Sequence, residues 1–421
     1  MSENIIDTKD NFAFPDGFAE RMKKMLGDDF ADFSKAYSKP RRTALRINRV
    51  KDDGTLDATV AKHFALSPVL WARDGSYVDD SDSTRPGLHP LHEAGAYYIQ
   101  EASAMISVSL SPPRKGERVL DLCAAPGGKS TQIASYLDGE GLLVANEIHP
   151  ARAAVLSSNI ERMGIKNALV TNEAPDKLVP HFTRFFDRIF VDAPCSGEGM
   201  FRKEEAALTQ WSEEYLGVCA ERQLDILNSA AEMLMGGGRI IYSTCTFAPE
   251  ENEGVIARFL LSHPDFEIVE PEIHIDGFTR GNPLWAKEFS DLDVIPDGIE
   301  KCVRLFPHCA DAEGHFAAVL QRRGGENFVS EVKKDRQKSK KNAPKSAPVK
   351  WEKPLGILRV PHSRPNLLNP YRACLRRFSE KTFTCSPLPY PLTACAYFAR
   401  DFISARSRVT GSSHPTPWLF L

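Results

Sequence analysis

Several common routes to function are closed by what this 421-residue chain lacks. No two of its nine cysteines have C-x-x-C spacing, which excludes the usual zinc and dithiol motifs. No apolar run approaches the roughly 18 residues of a membrane span. Met1–Asp10 is polar, with three acids where a secretory leader would be apolar. An excess of positive charge is also missing. The net charge is −3, so no global field recruits a polyanion, and any such site must be a local patch. A dinucleotide fingerprint, G-x-G-x-x-G, and internal repeats are absent. These absences predict a cytoplasmic protein with reduced thiols and no bound metal.

What is present is organised around Val119–Ser130, VLDLCAAPGGKS. An apolar run broken only by Asp121 leads into small, Gly/Pro-rich residues and then into a helical pattern. That is a strand, a tight turn and a helix N-terminus, where an α/β sheet holds a nucleotide-like ligand. A P-loop needs G-x-x-x-x-G-K-[ST]. Gly128, Lys129 and Ser130 match its end, but its first glycine falls on Cys123, so the phosphate nest is lost. About twenty residues past the turn, the next strand ends in Asn146-Glu147, an acid placed for ribose hydroxyls. A nucleoside without a pyrophosphate fits both features, and S-adenosyl-L-methionine is the commonest such cofactor.

The rest of the chain divides by pattern. Residues 1–95 read as a small α+β domain, with helical periodicity over Phe18–Phe33 and residues 55–63. Residues 96–323 alternate strand and helix, which predicts a doubly wound, mostly parallel α/β sheet. Seven strands are expected: Val119–Leu122, Leu142–Asn146, Ala168–Thr171, Arg188–Val191, Arg239–Ser243, Phe266–Val269 and Phe316–Gln321. Helices are expected at Ile99–Leu110, Ser130–Leu137, Pro150–Met163, Glu213–Met235 and Glu250–Ser262. For the longest, Ser212 is the N-cap and Gly236–Gly238 the stop. Residues 324–350 read as a basic linker. Residues 351–421 hold nine prolines, ten Lys/Arg and three acids with no sustained period, an irregular tail.

Two further strands end in chemistry. Phe190–Gly197 runs into Asp192, Cys195 and Ser196, and Ile240–Thr246 runs into Ser243, Thr244, Cys245 and Thr246. Ligands in open α/β sheets sit outside the carboxyl ends of the strands, so both thiols and Asp192 are expected at one crevice. A lone cysteine is usually a small buried hydrophobe. Two at neighbouring strand tips, one beside an aspartate, point to nucleophilic chemistry. Spacing does not decide which thiol attacks. No histidine stands at ligand spacing, and the only third thiol nearby is Cys123, so no metal is expected.

These stretches together resemble the Sun-type RNA (cytosine-5)-methyltransferases, in particular their bacterial RsmF branch. The matching motifs are YIQEASAM (Tyr98–Met105), DLCAAPGGKST (Asp121–Thr131), Asn146-Glu147, VDAPCSGEGMFRK (Val191–Lys203), YSTCTFAPEENE (Tyr242–Glu253) and GHFAAVL (Gly314–Leu320). They cover residues 40–323 in the family's order. The resemblance implies a seven-stranded Rossmann-like class I methyltransferase sheet. It implies methyl transfer from S-adenosyl-L-methionine to carbon 5 of a cytosine, in 16S ribosomal RNA of the small subunit. Cys245 would attack, Cys195 would assist release and Asp192 would face N3 of the base. Cofactor contacts carry over to Cys123, Ala124, Ala125, Pro126, Gly127, Gly128, Lys129, Glu147, Glu173 and Asp192. On charge alone RRTALRINRVK (Arg41–Lys51) reads as a solvated strand face, whereas the resemblance makes it an RNA-contacting segment. Arg41, Arg42, Arg46, Arg49, Arg202 and Lys203 are the expected phosphate contacts.

Transfer RNA is the alternative substrate, since the catalytic motifs are shared. A non-catalytic RNA-binding ribosome assembly factor on the same fold is a third reading, and it is disfavoured because both cysteines are present. RsmF-type chains carry a folded RNA-binding domain after the catalytic one. The loss of acids and period after about Leu355 is expected to reflect a shifted reading frame, which resequencing the coding DNA tests.

Overall fold

Apolar runs too short for helices become strands here, and where helices cover both faces the runs are apolar throughout. In the computed structural model, which describes residues 12–79, 85–324 and 419–420, these runs build two sheets. The smaller contains β1 (Ala44–Ile47), β2 (Leu66–Pro68), β3 (Gly75–Val78) and β4 (Tyr97–Ile99), antiparallel in the order β2-β3-β1-β4. The larger holds β5 (Arg118–Asp121), β6 (Leu142–Asn146), β7 (Ala168–Thr171), β8 (Phe186–Asp192), β9 (Leu234–Thr244), β10 (Phe266–Ile268), β11 (Thr279–Arg280), β12 (Val303–Leu305), β13 (His315–Arg322) and β14 (Leu419–Phe420). Its order is β11-β12-β13-β9-β8-β5-β6-β7-β14, with β10 also on β13.

All seven expected strands lie in this sheet. Five are parallel (β7, β6, β5, β8, β9), and β13 then runs antiparallel beside β9. The sheet is therefore mixed, and β11, β12 and β14 are short additions to the seven. Strand order reverses at β5, which has β6 on one side and β8 on the other. Leu120 stands level with Val144 and Ile189, so the crevice opens beyond Asp121, Asn146 and Asp192.

Several expected boundaries shift for identifiable reasons. The helix expected at Ile99–Leu110 is instead the end of β4, a 3₁₀ turn at Ser103–Met105 and a helix only from Ile106 to Leu110. Ile99 is taken by pairing with Leu45 of β1. The long helix ends at Met233, and Leu234 already pairs with Phe186. Gly236–Gly238 therefore lie inside β9. They are absorbed where the register jumps from Phe186↔Leu234 to Arg188↔Arg239, with Gly237 at φ 78°. The Phe18–Phe33 periodicity is broken into helices Phe18–Leu26 and Phe30–Tyr37 by a 3₁₀ turn starting at Gly27. The expected helix Glu250–Ser262 starts at Glu253, because Glu251 and Asn252 use their side chains to fasten neighbouring loops.

The described residues belong to one compact unit. Phe18, Met22, Phe33 and Tyr37 of the first two helices pack with Phe201, Trp211, Phe247 and Phe306, which flank the two cysteine-bearing loops. Residues 325–350 of the expected linker and all of the expected irregular tail except Leu419–Phe420 lie outside the described residues.

Candidate active site

The Gly-rich turn leaves β5 at Asp121 and enters the helix Gly128–Leu137. Leu122 N donates to Phe190 O at 2.9 Å, and Ala124 N donates to Asn146 O at 2.8 Å, which ties the turn to both neighbouring strands. Gly127 adopts φ 112°, a left-handed conformation that L side chains rarely adopt, and it caps the helix. Asp121 is fully buried and accepts from Ser130 Oγ at 2.6 Å, while its Oδ1 has no partner among the described residues. Burial, with the charges of Asp192 and Glu147 adding to it, pushes the Asp121 carboxyl up to about 7.

Glu147 follows β6 and is 3 % exposed. His149 N donates to its Oε1 at 3.0 Å, and Arg152 stands 3.5 Å from its Oε2. Glu173 lies on the loop after β7. That loop is latched to β6 by Asn146, whose Nδ2 donates to Glu173 O at 2.9 Å and whose Oδ1 accepts from Glu173 N at 3.2 Å. Asn172 Nδ2 donates to Glu147 O at 2.6 Å. The acceptor capacity left on Asp121 and Glu147, above a turn that presents backbone and little side chain, fits a cationic, hydroxyl-bearing nucleoside such as S-adenosylmethionine. Cys123 lies in this cradle, and burial pushes its thiol well above the usual range. It stays protonated.

Lys129, expected only as a cofactor contact, makes an ion pair across the crevice with Nζ 2.8 Å from Asp192 Oδ2. Ser243 Oγ donates to Asp192 Oδ1 at 3.0 Å. Burial opposes charge on Asp192, but Lys129 and these hydrogen bonds outweigh it and hold the carboxyl below its ordinary value. The sequence assigns no role to His315. Its Nε2 is buried without a hydrogen bond, 3.9 Å from Asp192 Oδ1, and burial together with Lys129 pushes the imidazole down to about 3. It is neutral at physiological pH. The GHF stretch was visible in sequence, but only the pairing of β13 with β9 brings it to Asp192.

Cys195 and Cys245 meet beyond β8 and β9, with their sulfurs 3.3 Å apart and both thiols partly exposed. The hydrogen bond with Cys245, reinforced by burial, pushes the Cys195 thiol well up. Cys195 therefore keeps its proton and can donate it to the Cys245 sulfur.

Two buried carboxylates that the sequence reading passed over hold these loops. Glu251 accepts from Ser196 N at 3.0 Å, from the Ser196 hydroxyl and from Gln223 Nε2 at 2.7 Å. Glu198 accepts from Trp211 Nε1 at 2.9 Å, Thr246 Oγ1 at 2.9 Å and Phe247 N at 2.8 Å. Burial pushes Glu251 up to about 7 and raises Glu198 as well. Gly199 N donates to Cys245 O at 2.8 Å, and a Cβ at Gly199 would lie 2.9 Å from that oxygen. In sequence nothing marks Glu198 and Glu251 beyond their place in VDAPCSGEGMFRK and YSTCTFAPEENE.

The basic residues divide. Arg41 and Lys203 are exposed. Arg42 is half-buried, stacked 4.2 Å over Tyr77 and paired with Asp311 at 2.9 Å. Arg49 is engaged by Asp52, Asp57 and Asp74. Arg202 pairs with Glu313 at 2.9 Å and donates to Ala36 O at 2.8 Å. The expectation for Arg46 is corrected. It is 1 % exposed, and its guanidinium donates to Gln100 Oε1, Gly128 O and Thr131 Oγ1. Arg46 fastens the small sheet to the Gly-rich turn and has no surface to offer a phosphate. Among the described residues no cluster of three or more His, Cys, Asp or Glu is placed to hold a metal, and no helix is long and apolar enough to cross a membrane.

This chain is similar to known proteins in sequence and fold. The pattern defining "16S rRNA methyltransferase RsmB/F" matches residues 108–321, and that of the "N-terminal domain of 16S rRNA methyltransferase RsmF" matches residues 14–102. A ribosomal RNA small subunit methyltransferase F of Vibrio vulnificus is 36% identical over 337 residues, covering 77% of this chain and 67% of the relative. Its counterpart in Erwinia tasmaniensis is 35% identical over 323 residues, 73% of this chain. There the match spans only 63% of the relative's length. Among solved structures, a methyltransferase homologue from Pyrococcus horikoshii superposes with a TM-score of 0.61 at 26% identity, over 72% of this chain and 94% of that one. NSun6 from the same organism, solved with SFG, has a TM-score of 0.62 over 74% of this chain and 99% of its own. At 20% identity it speaks to the fold alone. The chain belongs to the RsmB/F family of 16S rRNA methyltransferases, with an RsmF-type N-terminal domain at residues 14–102.

Proposed function

We propose that this chain transfers a methyl group from S-adenosyl-L-methionine to carbon 5 of a cytosine in 16S ribosomal RNA, through a covalent bond between Cys245 and carbon 6. One observation carries it: two sulfurs 3.3 Å apart, beside an ion-paired aspartate, at the mouth of a nucleoside-type turn. The turn Cys123–Lys129 with Glu147 and Glu173 holds the cofactor, which supplies an electrophilic methyl on a sulfonium. In this division residues 1–95 with Arg41 and Lys203 approach the RNA, and residues 96–323 carry out the chemistry, in the cytoplasm.

Carbon 5 of cytosine is a poor nucleophile. When the Cys245 thiolate adds to carbon 6, the S–C6 bond forms and the ring becomes an enamine whose carbon 5 can attack. Cys195, which retains its proton, donates to the Cys245 sulfur and steadies the thiolate before attack. Negative charge then builds towards N3. Asp192 faces that edge, and because it is ionised in the free protein, a proton must be supplied as the base binds. Lys129, 2.8 Å from its Oδ2, is positioned to supply it. After carbon 5 takes the methyl, its proton leaves to a base, the S–C6 bond breaks and Cys245 departs, with Cys195 assisting release. The target nucleotide must be unstacked to reach these groups.

The test uses labelled S-adenosylmethionine with small ribosomal subunits lacking the modification. Wild type labels the RNA at a cytosine that bisulfite sequencing identifies, and Cys245→Ala lowers the rate by more than about 10⁴-fold. Cys195→Ala accumulates a protein–RNA adduct that survives denaturation. Full activity in Cys245→Ala refutes the assigned nucleophile, and labelling confined to transfer RNA refutes the substrate.

A further inference from the structure

We infer that Cys195 and Cys245 form a reversible disulfide on exposure to hydrogen peroxide, so that the thiol pair is an oxidative modification site as well as a catalytic one. This goes beyond methyl transfer and needs no decision about which thiol attacks the base. It rests on position. The sulfurs are 3.3 Å apart, a separation at which no atom fits between them, and both are partly exposed to the crevice. A disulfide has a sulfur–sulfur distance of about 2.05 Å, so the pair must close by only about 1.3 Å.

The anchors lie beside the thiols on each loop. Ser196 and Thr246, the residues following each cysteine, are bonded to each other at 2.9 Å and fastened to Glu251 and Glu198 respectively. The two loops are thus clamped to each other with the sulfurs about 1.3 Å short of closing to a disulfide's bond length. The four other described thiols make no such contact: Cys123 lies in the Gly-rich turn, Cys219 and Cys302 are buried, and Cys309 is exposed in a separate segment.

The chemistry balances with peroxide as the oxidant. The Cys245 thiolate attacks one oxygen of hydrogen peroxide. An S–O bond forms, the O–O bond breaks, and the departing hydroxide is protonated to water. The Cys195 sulfur then attacks the sulfenic sulfur. The S–S bond forms and the S–O bond breaks, and the second oxygen leaves as water with the proton that Cys195 carried. Two thiols lose two electrons, and one peroxide becomes two waters. A thiolate with an adjacent resolving thiol is the arrangement that diverts oxidation from irreversible sulfinic acid to a reducible bond. While the bond stands, Cys245 has no free sulfur to add to a base.

The full-length, fully reduced chain is treated with hydrogen peroxide, alkylated and mapped by peptide mass. The expected product is a cross-linked peptide pair carrying Cys195 and Cys245, two hydrogens lighter than the reduced pair. Loss of methyl transfer should accompany it and be restored by dithiothreitol. In Cys195→Ser, checked for folding by its melting curve, the same treatment should carry Cys245 to sulfinic or sulfonic acid, which dithiothreitol does not reverse. Three results overturn the inference: over-oxidised Cys245 beside reduced Cys195 in wild type, both thiols unmodified where Cys309 is oxidised, or Cys245 bridged to another cysteine. Because the cross-link is read by mass, a chain that failed to methylate RNA would still report it. Its absence would leave the Cys245→Ala assay untouched.

Discussion

The two sides of the crevice are built by different means. On the cofactor side, Gly127 turns the chain, Ala124 N and Leu122 N bond to strand carbonyls, and Asn146 and Asn172 latch one loop to the next. Most of these ties are to backbone, and they join the turn to the neighbouring strands and the loops that leave them. On the thiol side, Glu198 and Glu251 hold loops some fifty residues apart, through the buried side chains of Ser196, Trp211, Gln223 and Thr246. A backbone-built cradle tolerates side-chain change and loses affinity gradually. A network of buried carboxylates does not: removing one partner leaves donors without acceptors in a low-dielectric interior.

That contrast can be tested from its strongest consequence down. Gly199→Ala inserts a Cβ 2.9 Å from Cys245 O and 3.1 Å from Gly314 O, and neither backbone oxygen can swing away. A shift of the nucleophile by a fraction of an ångström should lower kcat by about 10²-fold with KM for S-adenosylmethionine unchanged. A rise in that KM with intact kcat would place Gly199 on the cofactor side and break the comparison.

Glu251 provides a stability test with a defined sign. Its folded carboxyl sits at about 7 against an ordinary 4.5. The stability associated with its protonated form is fully present below 4.5 and is lost as pH rises to about 7, by about 3 kcal/mol at most. Glu251→Gln removes this dependence, so denaturant melts of the variant should gain on wild type between pH 5 and 7. Parallel curves would mean that the carboxyl is ionised throughout.

Glu147→Ala addresses the cofactor side. Loss of one charge-assisted acceptor for ribose should raise KM for S-adenosylmethionine by about tenfold while kcat changes little. The smallest expected effect belongs to the surface. Arg41→Ala or Lys203→Ala should weaken RNA binding a few-fold and flatten its salt dependence by at most about one unit of slope, with melting unaffected. Arg46→Ala should do the opposite, lowering stability first, since its guanidinium is spent inside the fold.

Legibility in the sequence followed the range of the interactions. Seven of the ten strands of the large sheet, the Gly-rich turn, Glu147 and both cysteines stand in contiguous motifs, and local pattern located them. The end of the long helix did not follow local rules. Three glycines that look like a stop became the irregular start of β9, because pairing with β8 began already at Leu234. Arg46 misled for a similar reason. A basic residue between Leu45 and Ile47 reads as a wet strand face, yet β1 is covered on both sides and Arg46 finds its acceptors at Gly128 and Thr131, some eighty residues on.

The sequence by itself determined seven of the sheet's ten strands, the Gly-rich turn and the chemical inventory of two thiols, an aspartate and an acid at the ribose position. Those depend on residues adjacent in the chain, whose periodicity and φ preferences act locally. Tertiary structure alone decided the 3.3 Å between the sulfurs, the Lys129–Asp192 ion pair, the neutral His315 behind it and the burial of Arg46. Each requires segments far apart in sequence to be brought within a few ångströms. Only there do burial and neighbouring charge decide where the protons reside.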